Sequence, residues 1–180
     1  KMVQTYRDTF GIISVNGILF NHESPYRSPE FVTKKIISTL FKIKKGSKEV
    51  LKLGNLDSMR DWGYAEDYVL AIHKILNNNR PIDYVVATGK SLSVRNFFLK
   101  VCEQLNMKVK KKFIKNKEAY ILKKNNQLIM QTDKIFLREN DLNYLCGDYS
   151  KINKELSWKP KTTLDELILK MVNFEKLVNK

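Results

Sequence analysis

The apolar run Val15-Asn16-Gly17-Ile18-Leu19-Phe20 stops abruptly at Asn21-His22-Glu23-Ser24-Pro25, five residues that are polar or turn-forming. That is the pattern of a buried strand handing a loop to a ligand at the carboxyl edge of a sheet. Similar handovers recur along the chain, so the pattern predicts a mixed α/β fold in which short strands deliver loops to helices.

Met2 to Thr9 reads as the end of an amphipathic helix stopped by Gly11, and the chain therefore opens inside an element, as a fragment lacking an amino-terminal part would. Ile12 to Phe20 reads as a buried strand. A helix from Glu30 to Lys45 places Phe31, Val32, Ile36, Ile37, Leu40, Phe41 and Ile43 on its core side and stops at Gly46. Glu49 to Leu53 is a short strand; Arg60-Asp61-Trp62-Gly63-Tyr64 precedes a helix from Ala65 to Asn77; Asp83 to Ala87 is a strand. Ser93 caps a helix from Val94 to Asn106. Val109 to Ile114 is a strand or edge segment, and Tyr120-Ile121-Leu122 and Leu128-Ile129-Met130 flank a turn as a hairpin. Ile135 to Asp141 is strand-like, Asp148 caps a short helix from Tyr149 to Leu156, and Thr163 opens a final amphipathic helix.

At 180 residues the chain can bury a substantial core, and 43% apolar residues with nine Phe, eight Tyr and two Trp exclude a disordered tail. No window is long and apolar enough to span a membrane, so a cytoplasmic protein without a membrane partner is expected. Cys102 and Cys146 lie far apart with no metal-ligand spacing, which predicts two reduced buried thiols and no metal site. The net charge of +14 suits phosphate-bearing ligands, and the lysines are scattered with no nucleic-acid-binding motif beside them. Solvated surface is the plain reading of them; non-specific polyanion binding is the rival.

The sequence holds no G-x-G-x-x-G, no P-loop and no G-x-S-x-G, and Tyr6 has no lysine four residues on, so no catalytic set is assigned to these residues. What it offers is a set of loop residues suited to an anion. Asn21 and His22 follow a strand, Arg27, Lys34 and Lys35 follow on a turn and helix, and Arg60 and Arg138 sit where elements meet loops. The guanidinium fork suits a diphosphate, and Asp141 can accept from ribose hydroxyls. Taken singly, each has a structural alternative: a satisfied histidine, a salt-bridged arginine, a solvated lysine. Trp62 and Trp158 read as core anchors and His73 as structural.

Asn-Gly-Ile-Leu-Phe-Asn-His-Glu-Ser-Pro, Phe-Val-Thr-Lys-Lys-Ile, Leu-Gly-Asn-Leu-Asp, Arg-Asp-Trp-Gly-Tyr-Ala-Glu-Asp-Tyr-Val, Ala-Thr-Gly and Ser-Trp-Lys-Pro occur here in one order. Together they resemble the carboxy-terminal portion of the GDP-mannose 4,6-dehydratases, extended short-chain dehydrogenase/reductases. The resemblance covers nearly the whole chain and is loose only over Lys108 to Lys134. It implies the last strands of an NADP-binding Rossmann-type domain interleaved with a smaller substrate-binding domain over residues 1–180, with the glycine-rich half and the catalytic Tyr-x-x-x-Lys upstream of Lys1.

The resemblance also implies roles. His22 and Arg27 match positions lining the NADP site. Asn21, Lys35, Arg60, Arg138 and Asp141 match positions around the diphosphate and ribose of GDP-mannose. A homo-oligomer is implied for the full-length enzyme. The departures are Tyr26 for an arginine, Glu139 for a proline, Asp141 for a longer acid, and Ser157 for a glycine. Two alternatives stay open: a dehydratase or epimerase acting on another nucleotide sugar, and a nucleotide-sugar-binding module without catalysis.

Overall fold

A computed structural model describes residues 1–137 and 141–179. In chain order the elements are α1 (Met2–Phe10), β1 (Gly17–Leu19), β2 (Asn21–Glu23), α2 (Val32–Lys44), β3 (Leu51–Leu53), β4 (Met59–Tyr64), α3 (Ala65–Leu76), β5 (Tyr84–Val86), β6 (Ser91–Ser93), α4 (Val94–Gln104), β7 (Val109–Ile114), β8 (Lys117–Leu122), β9 (Leu128–Thr132), a 3₁₀ turn (Lys134–Phe136), α5 (Ser150–Leu156) and α6 (Leu164–Val178).

The strands form three small sheets. β1 pairs with β5 in parallel; β4 lies between parallel β2 and antiparallel β6; and β3-β9-β8-β7 forms a four-stranded sheet in which only the β3–β9 pair is parallel. The larger core lies between that sheet and α2, α4 and α6, where Ile36, Leu40, Phe97, Phe98, Ile129, Met130, Ile168 and Met171 are fully buried. A second cluster joins α3, β5 and α5 through Tyr68, Ala71, Val86, Ile152 and Trp158. Both tryptophans are buried, as expected of core anchors.

Local chemistry fixes the helix starts. The Ser93 hydroxyl accepts from the Asn96 amide at 3.1 Å, and Thr163 and Glu166 form a reciprocal capping box. The hairpin expected from Tyr120 to Met130 is present as β8 and β9. Ser157 ends α5 in the left-handed region at φ 50°, the conformation that glycine adopts without a Cβ penalty and that the glycine of the resembling family would suit.

Three expectations are corrected. The buried strand over Ile12 to Phe20 shrinks to Gly17–Leu19, which pairs only with β5 among the described residues, and all three of its residues are exposed. The polar residues after it are not a loop: Asn21–Glu23 is β2, in parallel register with Trp62, Gly63 and Tyr64. The strand-like reading of Ile135 to Asp141 gives way to the 3₁₀ turn, since the Asp133 carboxylate accepts from the Ile135 amide and turns the chain there. Asp148 accepts from the Ser150 amide at 2.8 Å, but α5 starts at Ser150 with Tyr149 at its N-cap, one residue later than expected.

Candidate functional site

The site is built on the alternation of one strand. In β4, Arg60 and Trp62 face a cavity of about 500 Å³, while Asp61 and Gly63 face the opposite way. Because β2 runs in register with β4, Asn21 and Glu23 share the cavity face, and His22 falls on the other. Trp62 packs its ring 5.0 Å from Phe97, so the cavity floor is continuous with the larger core.

Arg60 is anchored on three sides. Its guanidinium donates to Asp141 at 2.6 Å, to the Leu142 carbonyl at 2.6 Å and to the Met59 carbonyl at 2.8 Å. Asp141 also accepts from the Ser58 hydroxyl at 3.0 Å. These bonds fix the fork at the cavity wall, and among the described residues they leave its Nε and one Nη proton without an acceptor.

Lys35 enters from the first turn of α2, donates to the Lys52 carbonyl at 2.8 Å and lies 3.8 Å from the Phe136 ring centre. Burial pushes its ammonium below the usual lysine range. Arg27 lies flat over Phe31, with the guanidinium carbon 3.3 Å from the ring centre, and its Nε is 3.3 Å from the Glu23 carboxylate. Glu23 is itself buried and accepts from Thr33 at 2.6 Å; burial raises its pKa against the opposing pull of Thr33 and Arg27.

The structure thus brings Asn21, Arg27, Lys35, Arg60 and Asp141 to one cavity. His22 stands apart, its ring 5.4 Å from Tyr68 and its Nδ1 2.9 Å from the Phe20 carbonyl. A carbonyl only accepts, so Nδ1 carries a proton in this contact. Arg138 lies outside the described residues. The sequence reading missed Glu23, Ser58, Lys52 and Trp62 as cavity residues; period-two alternation through Asn21-His22-Glu23 would have found Glu23 had that stretch been read as a strand.

The reverse face of β4 is a structural knot. Asp61, fully buried, accepts from the Thr88 amide at 3.0 Å, the Thr88 hydroxyl at 2.5 Å, the Gly89 amide at 3.0 Å and the Gly147 amide at 3.2 Å. One helix turn on, Asp67 accepts from the Lys161 and Thr162 amides at 3.1 and 2.8 Å, and the Trp158 indole donates to its carbonyl at 3.0 Å. The two aspartates of Arg-Asp-Trp-Gly-Tyr-Ala-Glu-Asp therefore hold distant loops, and neither lines the cavity.

No group of three or more His, Cys, Asp and Glu side chains suited to a metal occurs among the described residues, and no helix is long and apolar enough to cross a membrane. Cys102 is buried, its thiol pushed up to about 12, and Cys146 is partly exposed, which departs from the expectation of two buried thiols. The cavity sets Arg27, Lys35, Lys52 and Arg60 beside hydrogen-bonding groups, an arrangement suited to an anion.

The sequence profile described as GDP-mannose 4,6 dehydratase matches residues 1–171. The chain belongs to that family. It is 40% identical to the GDP-mannose 4,6 dehydratase of Cricetulus griseus over 95% of this chain and 46% of the relative, and 38% identical to that of Vibrio cholerae over 93% of this chain and 48% of the relative. The chain spans about half the length of the curated relatives it matches. Among solved structures, it resembles RMD from Pseudomonas aeruginosa complexed with NADPH (TM-score 0.77, 16% identity, 98% of this chain and 52% of that one). It also resembles DesIV, a dTDP-glucose 4,6-dehydratase from Streptomyces venezuelae with NAD and TYD bound (TM-score 0.75, 18% identity, 97% and 47%). These likenesses show the α/β fold expected from the sequence.

Proposed function

We propose that this chain is the nucleotide-sugar-binding portion of an NADP-dependent GDP-mannose 4,6-dehydratase. The observation that carries the reading is the convergence of Asn21, Lys35, Arg60 and Asp141 on one cavity of about 500 Å³ in a chain of that family. Arg60 and Lys35 hold the diphosphate, Asn21 donates its amide to the same group, and Asp141 accepts from a ribose hydroxyl while keeping Arg60 in place. Arg138 is assigned to the same diphosphate on the family resemblance alone.

His22 and Arg27 hold the NADP side. The His22 imidazole and the Arg27 guanidinium, whose buried Nε has no hydrogen-bond partner among the described residues, have the polar groups that a dinucleotide's phosphates and hydroxyls need, which supports the fit. NADP, when bound, supplies a reversible hydride acceptor. The overall reaction converts GDP-mannose to GDP-4-keto-6-deoxymannose: C4 is oxidised, water leaves across C5 and C6, and the hydride returns to C6. The groups that move protons in it are assigned to the remainder of the enzyme, and this portion alone is inactive.

A homo-oligomer in the cytoplasm is part of the proposal. Met2, Tyr6 and Phe10 of α1 and Ile18 of β1 are exposed, and this supports a further protein surface packing on them. Titration of the protein with GDP, with UDP and dTDP as competitors, tests the reading. Saturable binding with preference for GDP supports it; equal binding of all three moves the substrate to another nucleotide sugar, and no binding ends it.

A further inference from the structure

Three side chains at the mouth of α2 form a device that the roles above do not use. Glu23 ends β2 with its carboxylate 3% exposed, yet it faces the cavity wall. Its Oε2 accepts from Thr33, itself fully buried, at 2.6 Å and sits 3.3 Å from Nε of Arg27. That Nε is buried and, although at ion-pair distance, is not aligned for a hydrogen bond with any group among the described residues. Phe31 closes the other side of the guanidinium at 3.3 Å.

Arg27 lines the cavity, and its only ion pair among the described residues is made through Nε. A guanidinium clamped between a carboxylate and a ring at a cavity wall is prepared for a bidentate oxyanion. The carboxylate that clamps it is held at a cost, because burial disfavours its charged form. The Thr33 hydrogen bond and the nearby Arg27 guanidinium both offset that cost.

We propose that Glu23 is a positioning residue, which with Thr33 and Phe31 holds Arg27 to grip a phosphate oxygen of a nucleotide in the cavity. The proposal rests on the nucleotide-sugar reading. The phosphate comes either from the nucleotide sugar or from the dinucleotide cofactor, and the test separates them.

Dissociation constants of GDP and of NADP are measured by calorimetry on the intact protein as wild type, Glu23→Gln, Arg27→Ala and the double variant, with thermal unfolding of each. Glu23→Gln is expected to weaken one of the two ligands about tenfold, as loss of a charge-assisted contact does, without lowering the melting temperature. The ligand affected identifies the source of the phosphate. In the Arg27→Ala background the same change has less than about a twofold effect, because Glu23 acts through Arg27. Thr33→Val, which keeps the carboxylate but frees it, weakens the same ligand severalfold, and it decides the matter if Glu23→Gln does not fold.

Unchanged affinity for both ligands, an undiminished Glu23→Gln effect without Arg27, or a lowered melting temperature with intact binding overturns the proposal. Wild-type protein that binds neither ligand overturns the nucleotide-sugar reading instead.

Discussion

The two faces of β4 put the same residue classes to opposite uses. Arg60, on one face, is held by three acceptors but keeps donors open to a cavity. Asp61, its neighbour on the other face, is fully buried and spends its carboxylate on four donors from Thr88, Gly89 and Gly147. Gly63 follows on that second face because a Cβ there would lie 2.3 Å from the Tyr68 ring. A charged side chain in a functional family is therefore not evidence of ligand contact; unspent hydrogen-bonding capacity at a cavity is.

The comparison predicts that stability and binding separate by face. Asp61→Ala leaves the Thr88, Gly89 and Gly147 amides without their acceptor, the last of them buried, and is expected to cost about 2–4 kcal/mol in chemical denaturation, since each unsatisfied buried donor costs about 1–3 kcal/mol. A loss below about 1 kcal/mol would break the claim that this face is structural. Gly63→Ala forces the Tyr68 ring aside and is expected to cost about 1–3 kcal/mol by overpacking. Since the Tyr68 ring is 5.4 Å from the His22 ring, the same variant shifts the His22 resonances in an NMR spectrum.

An ion cluster away from both faces serves as the control. Glu118 is held down to about 2, below its usual 4.5, by two bonds of 2.9 Å from Arg95 and a further one from Lys111. A depressed carboxylate contributes stability that is present above about pH 4.5 and lost as pH falls towards 2. Glu118→Gln is expected to cost about 1 kcal/mol at neutral pH, a partly exposed pair being screened. That difference from wild type should vanish through the same acid window, with GDP binding unaltered at neutral pH. A difference that persists at pH 2 would contradict the assignment.

Much of the framework was legible because its signals are local. Ser93, Thr163 with Glu166, the apolar period of α2 and the turn between β8 and β9 act within a few residues of themselves. The short strands were harder. Three-residue strands such as β2 have too little length to show alternation, so Asn21–Glu23 read as a loop and the division of His22 from Asn21 and Glu23 went unseen.

Of the candidate site, the cations suited to an anion were visible as residue types. Their sharing of one cavity was not, because it depends on the pairing of β2 with β4 across some forty positions. The roles of Asp61 and Asp67 were hidden for the same reason: their donors at Gly147 and Thr162 are 86 and 95 residues away.

The most direct test of the account is a paired measurement on Arg60→Ala in the intact protein: the dissociation constant of GDP beside the free energy of unfolding. Arg60 is expected to cost about 1–3 kcal/mol in affinity, the worth of a charge-assisted contact. Unfolding free energy should change by less than about 1 kcal/mol, because Asp141 is left with water and the Ser58 hydroxyl. Affinity unchanged while stability falls would put Arg60 with Asp61 as a structural residue and remove the basis for a diphosphate site on this wall.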